Sequence, residues 1–363
     1  MQQHLYTQRY MPLLLQISVP PDQSLARGEF FKLICGASFE DASDVRNLAL
    51  VYTLAGADCV DCAAERAVVA AAQEGIDTAL AIAKDCGASL RRPWTMISVN
   101  DDARDPHFRK AAFDARRCPA DCPRPCERVC PAQAIAFPDE VRGCYGCGRC
   151  IPVCPPGIID AVTYLRTPAD VLPLLDMVEA IEVHTKGDVQ AFRDLWAHIG
   201  PEADTTLRAV SISFPDMGEE TPEYLQQWAD VLQGGVGLRI WQTDGRPMSG
   251  DIGKGTALAS VAFAEKVLKS GALPFGAGRH HVQLAGGTNA ATVPRLQAMG
   301  LLGSSDAGGA KASGAAFGGY ARKVVSDWLQ RLPDDCTKVE QDLGVLRGAL
   351  LAARELVAPL KEQ

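Results

Sequence analysis

Three features of this 363-residue sequence predict an α/β fold, a (β/α)8 TIM-barrel-like body. Seven apolar runs of strand length and one weaker run are each followed by a helical pattern, as parallel strands joined by crossover helices require. The repeats number eight, which is the count that closes such a barrel. No G-x-G-x-x-G follows the first strand, which counts against the alternative, an open doubly wound sheet.

Residues 1–30 read as a poorly ordered lead-in. Their apolar piece, 11–19, is short, follows a single Arg and runs into Pro-Pro-Asp, a poor processing site, so no targeting role is expected. The first strand is expected over 31–37, FKLICGA, and a helix over 41–55, with Val45, Leu48, Ala49 and Tyr52 on one face. The second strand is ADCVDC, 57–62, and residues 65–86 form one or two Ala-rich helices. WTMISV, 94–99, is the third strand. After a cysteine-rich stretch, Thr167-Pro168 opens a helix at Ala169, since Pro suits a first helical turn. Strands four to six are expected over 178–183, 207–214 and 237–242, with helices over 189–199, 222–232 and 256–268. The seventh strand, 281–285, ends in Gly286-Gly287 and a helix to Met299. The weak eighth, SGAAF at 313–317, precedes a helix over 319–330. A long C-terminal helix is expected over 338–360.

Composition sets outer limits. The chain is 47% hydrophobic and 22% charged, which suits a soluble globular protein with a large core. Its net charge of -8 and lack of a basic tract speak against nucleic acid as a partner. Its longest apolar runs fall short of the ~20 residues of a membrane span. Eight of the 13 cysteines lie between Cys118 and Cys154, and such clustering argues for metal in a reducing compartment, the cytoplasm, over disulfides.

The cysteine stretch carries the clearest chemistry. Cys144-x2-Cys147-x2-Cys150-x3-Cys154-Pro155 is the bacterial ferredoxin spacing for a [4Fe–4S] cluster. Cys118-x3-Cys122-x3-Cys126-x3-Cys130-Pro131 repeats the ending with wider early spacing. Zinc would take two well-separated Cys-x2-Cys hooks instead. Two [4Fe–4S] clusters are therefore expected. A crossed scheme gives Cys118, Cys122, Cys126 and Cys154 to one and Cys130, Cys144, Cys147 and Cys150 to the other. The organisation that follows is a discontinuous barrel domain, 31–102 and 161–331, with a ferredoxin-like insertion at 103–160 and a C-terminal helix within 332–363. Loops that follow barrel strands lie on the functional face, so the clusters should sit over the barrel mouth. Residues 103–160 carry nine Arg or Lys and seven Asp or Glu, a local excess of positive charge in an acidic chain. That excess either favours the reduced cluster or is solvated surface.

Elsewhere the signals are weaker. Residues 245–256 resemble a P-loop but fail it, because Gly255 follows Lys254. Gly286, Gly287, Gly318 and Gly319 follow the last two strands, where barrels hold a phosphate; they bind a phosphate or flavin, or are turn glycines. Asp61, Asn100, His184, Asp244 and Lys254 stand at strand ends. No Ser-His-Asp set, paired-carboxylate motif or H-E-x-x-H is present, so no catalytic set is read. Cys35, Cys59, Cys62, Cys86 and Cys336 read as structural.

FKLICGASF at 31–39, RNLAL at 46–50 and YTLAGAD at 52–58 resemble the cyanobacterial light-dependent period (LdpA) family. The cysteine block, LAGGTN at 284–289 and FGGYARK at 317–323 are similar too. The resemblance runs from about Phe31 to Leu329. It implies an iron–sulfur protein that senses cellular redox state, set by photosynthetic electron flow, and passes it to the circadian clock, with clock input components as partners; a redox partner is expected separately. The residues alone leave three functions open: a redox sensor or electron carrier, a ferredoxin-linked oxidoreductase with a flavin or phosphate ligand in the barrel, and clusters that are only structural. Since no catalytic set is read, the enzyme stands second.

Overall fold

The computed structural model describes residues 19–362 except 131–132, 137–139, 142–143, 145, 147, 247–252, 254, 276–278, 305–308 and 334–335. The described chain begins with a helix, α1 (Pro21–Arg27), where the sequence reading expected an unstructured lead-in up to residue 30. Its signals are Pro at the first turn, Asp22 near the helix N-terminus and Gly28 closing the end. Leu25 is 1% exposed and packs into the bottom of the barrel, worth about 1.5–3 kcal/mol by burial.

The barrel then builds in order: β1 (Phe30–Ile34), α2 (Ala42–Ala55), β2 (Cys59–Ala63), α3 (Arg66–Asp85) and β3 (Trp94–Asn100). The insertion follows, with β4 (Arg109–Ala112), α4 (Pro125–Val129), β5 (Ile135–Ala136), β6 (Glu140–Val141) and β7 (Asp160–Thr163). β4 pairs antiparallel with β7, and β5 with β6, as two small ribbons. The barrel resumes with α5 (Pro168–Val171), β8 (Ala180–His184), α6 (Val189–Thr206), β9 (Ala209–Pro215), α7 (Thr221–Val231), β10 (Leu238–Asp244), α8 (Thr256–Lys269), β11 (His280–Ala285), α9 (Thr292–Ala298), β12 (Ala312–Phe317) and α10 (Gly319–Leu329). Helix α11 (Leu343–Lys361) ends the fold.

All eight barrel strands are parallel and close in the order β1-β12-β11-β10-β9-β8-β3-β2. The eighth strand looked weak because it is built of Ala, Ser and Gly. Small side chains are what the closure needs: a Cβ at Gly314 would run into the Phe30 carbonyl across the β1–β12 seam. The helix of the third crossover is a single turn. Pro173 has no N–H to continue α5, so a 3-10 turn over Leu172–Met177 replaces the helix. α6 runs on through Pro201 to Thr206, past the expected stop at 199. The last helix starts later than expected, at Leu343, where the Asp342 carboxylate accepts from the Gly344 and Val345 N–H groups.

Two apolar layers hold this together. The larger lies between the sheet and the outer helices, where Phe31, Leu33, Val60, Ile97, Ile181, Ile212, Trp241 and Val282 face outward. The smaller plugs the barrel bottom with Phe30, Cys59, Met96, Ala180, Ala209 and Ile240. Alternation along a strand therefore sends Cys59 inward and Cys62 outward, both buried. α11 is tied to the bottom rim: Lys361 Nζ reaches the Asp58 carboxylate at 2.5 Å and Ser24 Oγ at 3.3 Å, and Asp58 also accepts from the Phe31 N–H at 2.7 Å. Asp58→Ala leaves the Phe31 N–H without its carboxylate and the buried Lys361 ammonium with Ser24 Oγ alone, and should cost about 3–5 kcal/mol in denaturant unfolding.

Candidate functional site

The inward positions above the apolar plug are polar. Within otherwise apolar strands, alternate residues contribute Lys32 from β1, Asp61 from β2, Ser98 from β3, Glu182 and His184 from β8, Ser211 and Ser213 from β9, Gln242 and Asp244 from β10 and Gln283 from β11, all buried. Lys32 forms an ion pair with Glu182, both 0% exposed. Glu182 also accepts from Ser211 Oγ at 2.7 Å and Gln242 Nε2 at 2.8 Å, and Ser98 Oγ donates to Asp61 at 2.8 Å.

This layer continues upward into the insertion. His184 Nε2 lies 3.1 Å from Glu182 Oε1, and its Nδ1 is 3.8 Å from Asp105 Oδ2. His107 Nδ1 is 2.7 Å from Asp105 Oδ1, and its Nε2 is 3.4 Å from Asp244 Oδ2. Carboxylates and imidazoles thus alternate from the barrel interior to the root of the insertion. Burial pushes the Asp61 carboxyl up to about 7, against the pull of Lys32. Burial pushes Asp101 up to about 7 as well. Burial alone would lower His184, but Glu182 and then Asp105 outweigh it and raise the imidazole to about 9. Burial likewise opposes ionisation of Asp105, yet the hydrogen bond from His107 holds its carboxyl well below the usual range.

The sequence reading joined none of these residues into a set; the structure brings them together. Asp61, His184 and Asp244, named there only as strand ends, converge here with Lys32, Glu182, Asp105 and His107. Asn100 is placed differently: its amide clamps the insertion's root, donating to the Asp102 and Tyr164 carbonyls at 3.0 and 2.9 Å and accepting from the Arg166 N–H at 3.1 Å. Lys254 lies outside the described residues. The signal for Glu182 and Lys32 was present in the sequence as polar residues at alternate positions of apolar strands.

A cavity of about 850 Å³ opens above this layer. Ser98, His184, Ser213, Gln242 and Asp244 form its floor, and Gln133 and Arg149 reach it from the cysteine module. Gly286, Gly287, Gly318 and Gly319 all line one wall, with Arg246 and Arg322. Gly286 has φ +63°, and a Cβ there would collide with the Asp244 carboxylate, so that wall approaches the floor as only glycine allows.

The cysteine module packs around its own small core of Cys126, Ile135, Cys150, Ile158 and Ile159, with Cys118 and Cys154 against it. Cys118 lies beside Cys122 and near Cys126, and Cys126 near Cys154, so those four thiols share one region. Cys144 Sγ accepts from the Ala111 and Gly146 N–H groups, both at 3.4 Å, and Cys130 Sγ from the Ala134 N–H at 3.2 Å. Such N–H groups directed at sulfur suit thiolates that hold an iron–sulfur cluster. Cys147 lies outside the described residues. The module is fastened down by Lys110–Glu40 at 2.5 Å, Arg166–Glu65 at 2.5 Å and Tyr164 Oη donating to Ser38 Oγ at 2.7 Å. Phe108 is buried with its ring edge against His184, ring centres 5.3 Å apart.

Residues 118–165 match the family described as LdpA Fe-S cluster-binding domain, and residues 174–359 the one described as Light dependent period A C-terminal domain. The chain is 47% identical over 346 residues to Light dependent period A of Synechococcus elongatus, covering 94% of each. Among solved structures, a putative fructose-1,6-biphosphate aldolase from Coccidioides immitis aligns over 98% of this chain and 96% of its own, at 12% identity and a TM-score of 0.42. A likeness that loose carries no argument. Glu182→Ala strands the buried Lys32 ammonium and should destabilise the barrel by about 3–5 kcal/mol in denaturant unfolding; Lys32→Met combined with Glu182→Leu should recover most of that loss.

Proposed function

Starting from the fact that the chain belongs to the Light dependent period A family, an iron–sulfur family, we propose that it reports cytoplasmic redox state to the circadian clock through two [4Fe–4S] clusters. Cys118, Cys122, Cys126 and Cys154 would hold one, and Cys130, Cys144, Cys147 and Cys150 the other. The grouping of the first four thiols and the N–H groups directed at Cys130 and Cys144 support this assignment. In this reading the barrel (31–102 and 161–331) is the body, 103–160 the sensing insertion and 332–363 the closing helix. Among the described residues no helix is long and apolar enough to cross a membrane.

One observation carries the sensor reading. β4 donates an N–H to Cys144 from Ala111 and, at its other end, follows Phe108 and His107, which pack on His184. A change of charge at the cluster would therefore act on both the shape and the field of the barrel mouth, because thiolate acceptors and barrel groups share one short strand. A partner that binds across the module and the mouth would read that change. Clock input components are the partners this reading implies.

The cavity favours a second reading, a ferredoxin-linked oxidoreductase. Its floor holds acid–base groups, and its wall is formed by Gly286, Gly287, Gly318 and Gly319, which suit a phosphate or flavin. Anaerobically purified protein distinguishes the two. The sensor reading expects about eight iron and eight sulfide per chain, an EPR signal on reduction and no flavin released on denaturation. Released flavin would favour the enzyme. Capture of clock input proteins should differ between oxidised and reduced wild type. Cys150→Ser should lose about half of the iron and that difference together. Equal capture by both proteins in both states would rule the sensor out.

A further inference from the structure

The barrel mouth buries more carboxylate than cation. Asp61, Asp105, Glu182 and Asp244 are each at most 6% exposed, and Lys32 is the buried ammonium among them. Asp61 Oδ2 and Asp244 Oδ1 accept no hydrogen bond from the described residues. Uncompensated carboxylates are costly to bury, so a cation among them, a proton on an imidazole or a metal ion, would be favoured. Two imidazoles stand where such a charge would sit. Asp105, His107 and His184 each present a ligand atom, and the three atoms lie within 4.8 Å of one another. Bonds of about 2.0–2.2 Å to one ion would bring such atoms roughly 3–4 Å apart, a small contraction. Asp244 Oδ2, 3.4 Å from His107 Nε2, is already at that spacing.

We infer that Asp105, His107 and His184, with Asp244 as a further donor, form a site for one divalent transition-metal ion in the barrel mouth, separate from the cysteine clusters. The donor set decides the class of ion. Two imidazoles with carboxylate select zinc or ferrous iron over magnesium or calcium, which take oxygen ligands. Glu182 fits the surrounding shell: it sits at the other nitrogen of His184 and would fix the orientation of that ring. The cavity floor beside the ion is open to a small ligand, including Ser213 and Gln242, so the ion has a free side. Two of the donors come from the segment that leaves β3 for the cluster module and two from barrel strands. The ion would therefore bind the insertion to the barrel at one point.

Cluster-loaded protein, treated with EDTA and repurified anaerobically, tests this by equilibrium dialysis against Zn²⁺ with element quantitation. One zinc per chain is expected in the wild type, with zinc-edge absorption showing nitrogen and oxygen neighbours only. His107→Ala and Asp105→Asn, with their cluster absorption intact, should each weaken binding at least tenfold. A sulfur shell at about 2.3 Å would place the zinc on cysteines and overturn the site. No zinc in the wild type, or equal zinc in folded variants, would leave a hydrogen-bonded histidine–carboxylate chain only. If neither variant retains its clusters, the nature of the wild-type zinc shell alone decides.

Discussion

The pairing of Lys32 with Glu182 inside the barrel is the constraint on which the rest of the site depends. Neither charge can be solvated there, so each must be met by the other and by donors from neighbouring strands. Ser211 and Gln242 supply those donors to Glu182, and Gln242 in turn reaches Ser213 at 3.1 Å. The pair thus fixes the register of polar residues across four strands. It also splits the interior in two: an apolar plug below that supplies stability, and a polar layer above that opens to the cavity. His184, one inward position above Glu182, lies in its field, which raises the imidazole to about 9.

Much of this was legible in the sequence. Barrel strands buried on both faces read as apolar runs, and all eight were found because helices punctuate them. The ferredoxin spacing of Cys144 to Cys154 is local, so it could be read without a structure. The weak signals and the misses have physical reasons. The eighth strand is weak by propensity because a close seam with β1 excludes larger side chains. α1 is short, and its signals lie in only seven residues. The site at the mouth is assembled from strands far apart in the chain, so no spacing rule could find it. Asp105 and His107 were hidden as well, because they lie in the run between β3 and the cysteines, which reads as linker.

The insertion and the barrel are not independent bodies joined by a tether. Asn100 clamps both strands of the insertion's root, and Tyr164 bonds Ser38, whose Oγ also donates to the His107 carbonyl at 2.6 Å. The root is thereby fixed by the loop that follows β1. Each of these bonds is modest, about 0.5–1.5 kcal/mol net, but together they leave the module few ways to move that do not disturb the floor of the cavity. That rigidity is what a redox signal would need to be felt beyond the cysteines.

The tie between Lys361 and Asp58 bears on how the chain is made. The bottom rim of the barrel is completed by a residue at the far end of α11, and the β1–β12 seam closes only when residues 312–317 arrive. A ribosome adds residues at roughly 5–20 per second, so the cysteine stretch emerges many seconds before either closure can form. During that interval the thiols stand free of the barrel that later surrounds their root.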